Sequence, residues 1–409
     1  MSNVSTGPDV GEVDLTDPRT FAGADMAGWW RHVRGTTPVY QHRPVAGGQR
    51  FWVVAGHAEA SAVYRDAKRF SASRGNMLST LLAGGDSAGG RMVAVSDGPR
   101  HRRLRTAILQ CFSQRALDYV TQRIREYTSR LVEESVARGE VDFAADVGAR
   151  VPINTICDLL GVPEGDRDHL LALNKKAVSS DVPDQSDDES RLARGEIVMY
   201  LTDLVKQMRG VTGDGVIPVL ANTTVEGEML SSHDIVLNCY SLLLGGDETS
   251  RFSMIAAVDA LYREPAQWSA LRDGEVALDT ATEEIIRWAT PIMHVARTAL
   301  TDVAVGDATI KTGDIVTIWN SSTNHDEDVF DRPDVLDLAR HPNRHLAFGL
   351  GAHFCVGVFL ARAEISALLD ALRTHVSRIE PTGASVPIYS NVLQGSSSLP
   401  VRLHPVSNR

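Results

Sequence analysis

The chain has 409 residues, 43% hydrophobic and 23% charged, the balance of an ordinary soluble globular protein. A formal net charge of −11 argues against general nucleic-acid binding, although it leaves room for a local basic patch. Cys111, Cys157, Cys239 and Cys355 are scattered with no close pair, which fits a reducing compartment and not a disulfide framework.

Residues 1–20 are polar and acidic, with neither a signal-peptide core nor a membrane span, and read as a flexible tail on a cytoplasmic protein. No Pro/Ser-rich linker or break in composition follows, so one domain over residues 1–409 is expected. Residues 50–55 (Arg-Phe-Trp-Val-Val-Ala) read as a strand, with residues 37–42 as its partner. Helical periodicity covers residues 57–66, 101–110, 114–138, 167–177, 190–209, 232–262, 279–288 and 356–374. Short strands are expected at 294–300, 303–305 and 315–319. Two polar, glycine- or acid-rich stretches, 83–90 and 181–189, read as mobile segments that could act as lids. The expected class is mainly α, an α-rich α+β architecture.

Four short strings carry chemistry. Asp97-Gly98-Pro99-Arg100-His101-Arg102-Arg103-Leu104-Arg105 opens a helix on which His101 and Arg105 face one way at i,i+4; such a run is most often a basic, solvated face. Ser231 caps the longest helix, with Asp234 as its capping-box partner, and Pro265 closes it, leaving roughly 30 residues or about 45 Å. In its middle lies Leu244-Gly245-Gly246-Asp247-Glu248-Thr249-Ser250. Two adjacent glycines there cost about 1 kcal/mol each relative to alanine, and a broken local rule marks either a close helix crossing or a functional site. Glu284 and Arg287 share a helix face at i,i+3, which alone means no more than a surface ion pair. Finally, Phe348-Gly349-Leu350-Gly351-Ala352-His353-Phe354-Cys355-Val356-Gly357 sets a cysteine in a glycine-rich turn before a helix. Turn N–H groups and a helix N-terminus would favour the thiolate, and glycines would admit something flat against the sulfur. A small buried cysteine, or a nucleophile assisted by a histidine, are the competing readings.

The last string resembles the haem-ligand loop of the cytochrome P450 family, Phe-x-x-Gly-x-His-x-Cys-x-Gly, position for position. The resemblance implies that Cys355 is the axial thiolate of haem b (iron protoporphyrin IX), with Phe348 packed beside the sulfur and Gly349 and Gly357 allowing close approach. The mid-helix string resembles the family's Ala/Gly-Gly-x-Asp/Glu-Thr signature. There Gly245 and Gly246 would make room for dioxygen, Thr249 would donate a hydrogen bond, and Glu248 would be the acid of a proton relay; a second carboxylate at Asp247 is unusual. Glu284 and Arg287 match the structural Glu-x-x-Arg pair. His101, Arg105, Arg297 and His353 match the positions that bind haem propionates, leaving Arg103 free to dock an acidic electron-transfer partner. Residues 324–326 and 342–348 resemble the stretch leading to the cysteine loop, and 390–403 the closing hairpin.

The resemblance covers about residues 52–403 and is nearest to the soluble bacterial type. It implies a single-domain fold with a long central distal helix and small sheets. It also implies insertion of one oxygen atom from dioxygen into a small organic substrate, by hydroxylation or epoxidation, in secondary-metabolite or antibiotic biosynthesis. Electrons would come from NAD(P)H through a separate ferredoxin- or flavodoxin-type donor and its reductase, and the substrate would be free or carrier-protein-bound. The pocket would be lined by residues 77–82 (Met77, Leu78 and Leu82 among them), Leu242, Leu243, Ile292, His294, Val295 and Val392, with His294 better explained as a core histidine than as a substrate anchor. Other haem-thiolate oxidations (aryl coupling, heteroatom oxidation, peroxide-driven chemistry) form the second reading. A non-catalytic haem sensor forms the third.

Overall fold

The computed structural model describes residues 13–406 except 24, 46, 113, 179–186 and 214. The chain begins with α1 (Pro18–Gly23), α2 (Met26–Thr36), β1 (Val39–His42), β2 (Phe51–Val54), α3 (His57–Arg65), β3 (Phe70–Ser71) and α4 (Leu78–Leu82). Next come α5 (Gly98–Gln110), α6 (Gln114–Arg138), β4 (Glu140–Asp142), α7 (Arg150–Leu160), α8 (Arg167–Val178) and α9 (Asp187–Met208). The middle holds α10 (Val216–Ala221), β5 (Thr224–Val225), β6 (Glu228–Met229), α11 (Ser232–Arg263), α12 (Pro265–Arg272) and α13 (Leu278–Ala289). The remainder is β7 (His294–Ala299), β8 (Val303–Val305), β9 (Ala308–Ile310), β10 (Ile315–Trp319), α14 (Asn320–Thr323), α15 (Val358–His375), β11 (Val376–Pro381), β12 (Val386–Pro387), β13 (Ser396–Ser398) and β14 (Pro400–Pro405).

Helices dominate, as expected, and a mixed sheet ordered β1-β2-β10-β7-β3 flanks them. The expected pairing of β1 with β2 is present and antiparallel, Val39 opposite Val54. Every residue of β10 is buried, in keeping with a central strand that reads as a continuous apolar run. The main core gathers residues of α5–α13, α15 and the β11-β14-β4 sheet. A second cluster places Trp29, Trp30 and Trp319 around Leu15, which is fully buried. The expected tail therefore does not extend to residue 20: Leu15 is buried in the cluster that includes Trp29 and Trp30 of α2, while residues 1–12 lie outside those described. No described helix is long and apolar enough to cross a membrane.

Other differences have local causes. Ser231 caps α11, its hydroxyl accepting from the Asp234 N–H at 3.1 Å, but the Asp234 carboxylate does not complete a capping box. It pairs with Arg91 at 2.8 Å and Arg100 at 3.5 Å. Pro265 ends α11 by opening α12 at its first position, where the missing N–H costs nothing. The expected closing hairpin is instead a three-stranded arrangement in which β14 lies between β11 and β4. Of the stretch read as mobile at 181–189, residues 187–189 begin α9 and the rest lie outside the described residues.

Candidate functional site

The cysteine loop sits on α3 because two of its residues lack side chains. Gly349 and Gly351 have φ of +65° and +71°, and a Cβ on Gly351 would lie 2.6 Å from the Tyr64 carbonyl oxygen. The Cys355 N–H donates to the Phe348 oxygen at 2.9 Å, closing the turn just before α15. Phe348 packs edge-on to Phe354 and lies under the Arg362 guanidinium. Burial pushes the Cys355 thiol up, while the Gly357 N–H and the charges of Arg105 and Arg362 pull the other way.

A brace fixes where α15 begins. Arg362 donates to Glu283 of α13 at 2.6 and 2.8 Å, and His345 lies 3.2 Å from the same carboxylate. Burial raises the Glu283 carboxyl, but these partners more than offset it and bring it down to about 2. Its stabilisation is therefore present above the ordinary value of 4.5 and lost as pH falls toward about 2. Denaturant titrations of the parent protein and Glu283→Gln should differ at neutral pH and converge as the solution is acidified; a pH-independent gap would contradict this.

One cavity takes in Cys355, Phe348, Gly349, His353 and Gly357 from the loop, His101 and Arg105 from α5, Arg297 from β7, and Gly245, Gly246 and Thr249 from α11. The four residues expected to face propionates thus converge from three distant segments. His101 and His353 have ring centroids 4.2 Å apart, and His353 Nε2 is 3.3 Å from Asp97 Oδ1. Burial, together with the charges of His353 and Arg105, pushes His101 down to about 4, and burial also lowers Arg297. Among the described residues no carboxylate pairs with Arg105 or Arg297. The described hydrogen bond of the Arg297 guanidinium is to the neighbouring Ala296 carbonyl, at 2.8 Å. Asp97 acts on the buried Arg297 only at a distance, and a buried cation with no bonded carboxylate is unfavourable, so a dianionic group in this cavity fits the donor set.

The two helix glycines do different work. A Cβ on Gly245 would meet nothing within 4 Å, whereas one on Gly246 would lie 3.3 Å from Ile156 of α7. Gly245 leaves space and Gly246 permits close helix packing. The Thr249 hydroxyl donates to the Gly245 carbonyl at 2.8 Å. Glu248, expected as the relay acid, is buried at 1% exposure and bound to Arg251 at 2.7 Å, and is not among the residues lining the cavity. Its neighbour Asp247 is also fully buried and accepts from Asn174 of α8.

Of the expected pocket residues, Leu242, Ile292 and Val295 line the cavity. Leu243 and Val392 pack in or against the main core, Leu78 and Leu82 belong to the tryptophan cluster, and Met77 is exposed. His294 is buried against Trp319, with ring centroids 4.4 Å apart, and lies off the lining. Glu284 and Arg287 are both fully buried and joined by two bonds of 2.8 Å. Sequence reasoning missed three further donors to Glu284: Arg340, at 3.1 and 3.2 Å, Asn343, at 3.0 Å, and the Asp337 N–H, at 3.0 Å. It also missed Glu364 of α15, a buried acid that lines the cavity.

A cysteine loop, a glycine-opened helix bearing a threonine, and two guanidiniums with two imidazoles around one cavity define a haem-thiolate oxygenase. The chain belongs to the cytochrome P450 family and is a haem-thiolate monooxygenase. The family's model matches residues 276–393. Cytochrome P450 NovI of Streptomyces niveus is 42% identical over 98% of this chain and 100% of its own length. Linalool 8-monooxygenase of Pseudomonas putida is 31% identical over 96% and 99%. Among solved structures, P450 OxyD, involved in the biosynthesis of vancomycin-type antibiotics, superposes with a TM-score of 0.87 at 33% identity, covering 96% of this chain and all of its own.

Proposed function

We propose that the whole chain is one cytochrome P450 domain that binds haem b through Cys355 and oxygenates a small molecule of secondary metabolism, by hydroxylation or epoxidation. The observation that carries the reading is the shared cavity of Cys355, Thr249, His101, Arg105, Arg297 and His353. When bound, thiolate-ligated haem supplies the activation of dioxygen. The residues do the rest. Cys355 would ligate the metal, Arg105 and Arg297 would offset the charge of the propionates, and His101 and His353 would hydrogen-bond them. Gly245 leaves room beside the α11 backbone. Leu242, Ile292 and Val295 give the substrate an apolar wall that excludes water. The Thr249 hydroxyl gives its proton to the Gly245 carbonyl at rest, and on releasing that bond would donate into the cavity. The antibiotic-pathway role of OxyD supports placing the substrate in secondary metabolism.

Thr249→Ala should retain the haem spectrum while product formed per electron pair falls about tenfold and peroxide rises in its place. Unchanged coupling would remove Thr249 from the mechanism. The reaction itself is tested by turnover under isotopically heavy dioxygen, with one heavy atom expected in the product.

In this reading electrons come from NAD(P)H through a separate acidic ferredoxin- or flavodoxin-type donor in the cytoplasm. The outer face of α5 supports a docking place for it. There Arg102, Arg103, Thr106 and Gln110 form a groove with residues 222–224, on the helix whose inner face carries His101 and Arg105. Reversing both charges, Arg102→Glu with Arg103→Glu, should weaken donor binding about tenfold or more at low salt and flatten its salt dependence. An unaltered affinity would place the donor elsewhere.

A further inference from the structure

Between α4 and α5 the chain forms one short helical turn, Val93–Val95, and two of its residues, Val93 and Ala94, line the cavity beside Ser241 and Leu242 of α11. A single turn of three residues has little stability of its own, so its position must be set from outside. Asn238 does this. On α11 the positions 238, 241, 242, 245 and 249 recur at three or four residues and share one face. Ser241, Leu242, Gly245 and Thr249 turn that face to the cavity, and Asn238, fully buried, stands one turn before Leu242. Asn238 Oδ1 accepts from the Val93 N–H at 2.9 Å. Its Nδ2 donates to the Arg91 carbonyl at 3.0 Å and to the Asp234 carbonyl at 2.7 Å. Both amide hydrogens are used, and one side chain grips the main chain on either side of Met92.

We propose that Asn238 is a positioning residue that fixes the Val93–Ala94 wall and thereby sets the length of substrate the cavity accepts. The inference rests on the reading of this cavity as the substrate site and deepens it. Two ties hold the turn to α11, and their strengths differ. The Arg91–Asp234 ion pair, at 2.8 Å, is the outer one; the Arg91 side chain is 40% exposed, so water and salt screen it. The amide tie is buried. Without it the Val93 N–H and the Arg91 carbonyl have no other partner among the described hydrogen bonds. Unpaired main-chain groups are costly to keep buried, so the turn would move toward water and take the wall with it. The Ser96 hydroxyl donates to the Met92 carbonyl at 2.7 Å, but that bond lies within the segment and cannot fasten it to α11. Because Asn238 holds main chain, the side chain at position 91 can change without loosening the wall.

The test uses the holoprotein and two nitrogen ligands that shift the haem absorption band, imidazole as the short probe and 4-phenylimidazole, with its added apolar ring, as the long one. Asn238→Leu keeps the volume and removes the hydrogen bonds. It should weaken 4-phenylimidazole about tenfold while imidazole stays within about twofold, because only the long probe draws on apolar contact with the wall. Hydrogen exchange across residues 91–95 should quicken about tenfold or more in the same variant. Arg91→Ala keeps the gripped carbonyl and should keep the parent's ratio of affinities. If Asn238→Leu does not fold, Asn238→Asp, which retains the acceptor and loses the donor, should shift the ratio in the same direction, and the parent's own Val93 N–H should be among its slow amides. An unchanged ratio, an equal loss of both probes, or a freely exchanging Val93 N–H in the parent would overturn the proposal. Failure of the underlying reading is distinguishable, because the parent's absorption would then answer neither probe.

Discussion

Cys355→Ala is expected to give a folded protein with no thiolate-type haem spectrum and no oxygen insertion. Beyond accepting from the Gly357 N–H, the side chain contributes little to holding its own loop. The turn is closed by the Cys355 N–H bond to Phe348, seated by Gly349 and Gly351 against Tyr64, and continued by α15 packing on α6. Alanine keeps all of this and removes only the sulfur and its bond from the Gly357 N–H. Circular dichroism and unfolding of the haem-free protein should therefore be close to the parent, while carbon monoxide binding to any residual haem loses the sulfur-dependent shift. The other cysteines serve as controls. Cys157 and Cys239 are buried and pushed up to about 12, so neither offers a thiolate, and replacing either should keep the signature. Loss of the signature in a Cys157 or Cys239 variant with Cys355 intact would contradict the assignment.

The second large effect is structural. Glu284→Ala should cost about 3–5 kcal/mol, because it strands the buried guanidiniums of Arg287 and Arg340 together. Domain stabilities run to about 5–15 kcal/mol, so most of the variant should fail to hold haem. Arg287 also bonds the carbonyls of Asn324 and Pro333 at 2.8 and 3.0 Å, tying α13 to the segment that leads to the cysteine loop. Pairing Glu284→Leu with Arg287→Met should recover only part of the loss, since Arg340 and Asn343 remain without their acceptor. Chemical denaturation and haem retention check both variants; a surface-like loss below about 1 kcal/mol would contradict the burial argument.

What the sequence made legible is what is local. The cysteine loop, the α11 glycines and the His101/Arg105 pair each need only a turn or one helix face to be recognised, and the structure brings them to one cavity. Long-range partners left no such trace: Arg340 reaches Glu284 across 56 residues through a loop. Helix α7 goes unread in the sequence although Arg150, Asn154 and Asp158, at i, i+4 and i+8, give it a narrow polar stripe; its other eight positions are buried. The orientation of individual side chains was the least legible part. Glu248 turns from the cavity because Arg251 binds it, and Leu243 enters the core while Leu242, one position earlier, faces the pocket. Glu364 sits among apolar positions of α15 and becomes conspicuous only once it is seen buried on the cavity lining beside Ser250 and Thr155.

The most direct test of the central claim is the absorption spectrum of the purified, reduced protein under carbon monoxide. Ligation by Cys355 predicts the strongly red-shifted Soret band that gives the family its name, lost in Cys355→Ala. A band at the position of histidine-ligated haem in freshly prepared protein, or one unchanged by Cys355→Ala, would contradict it.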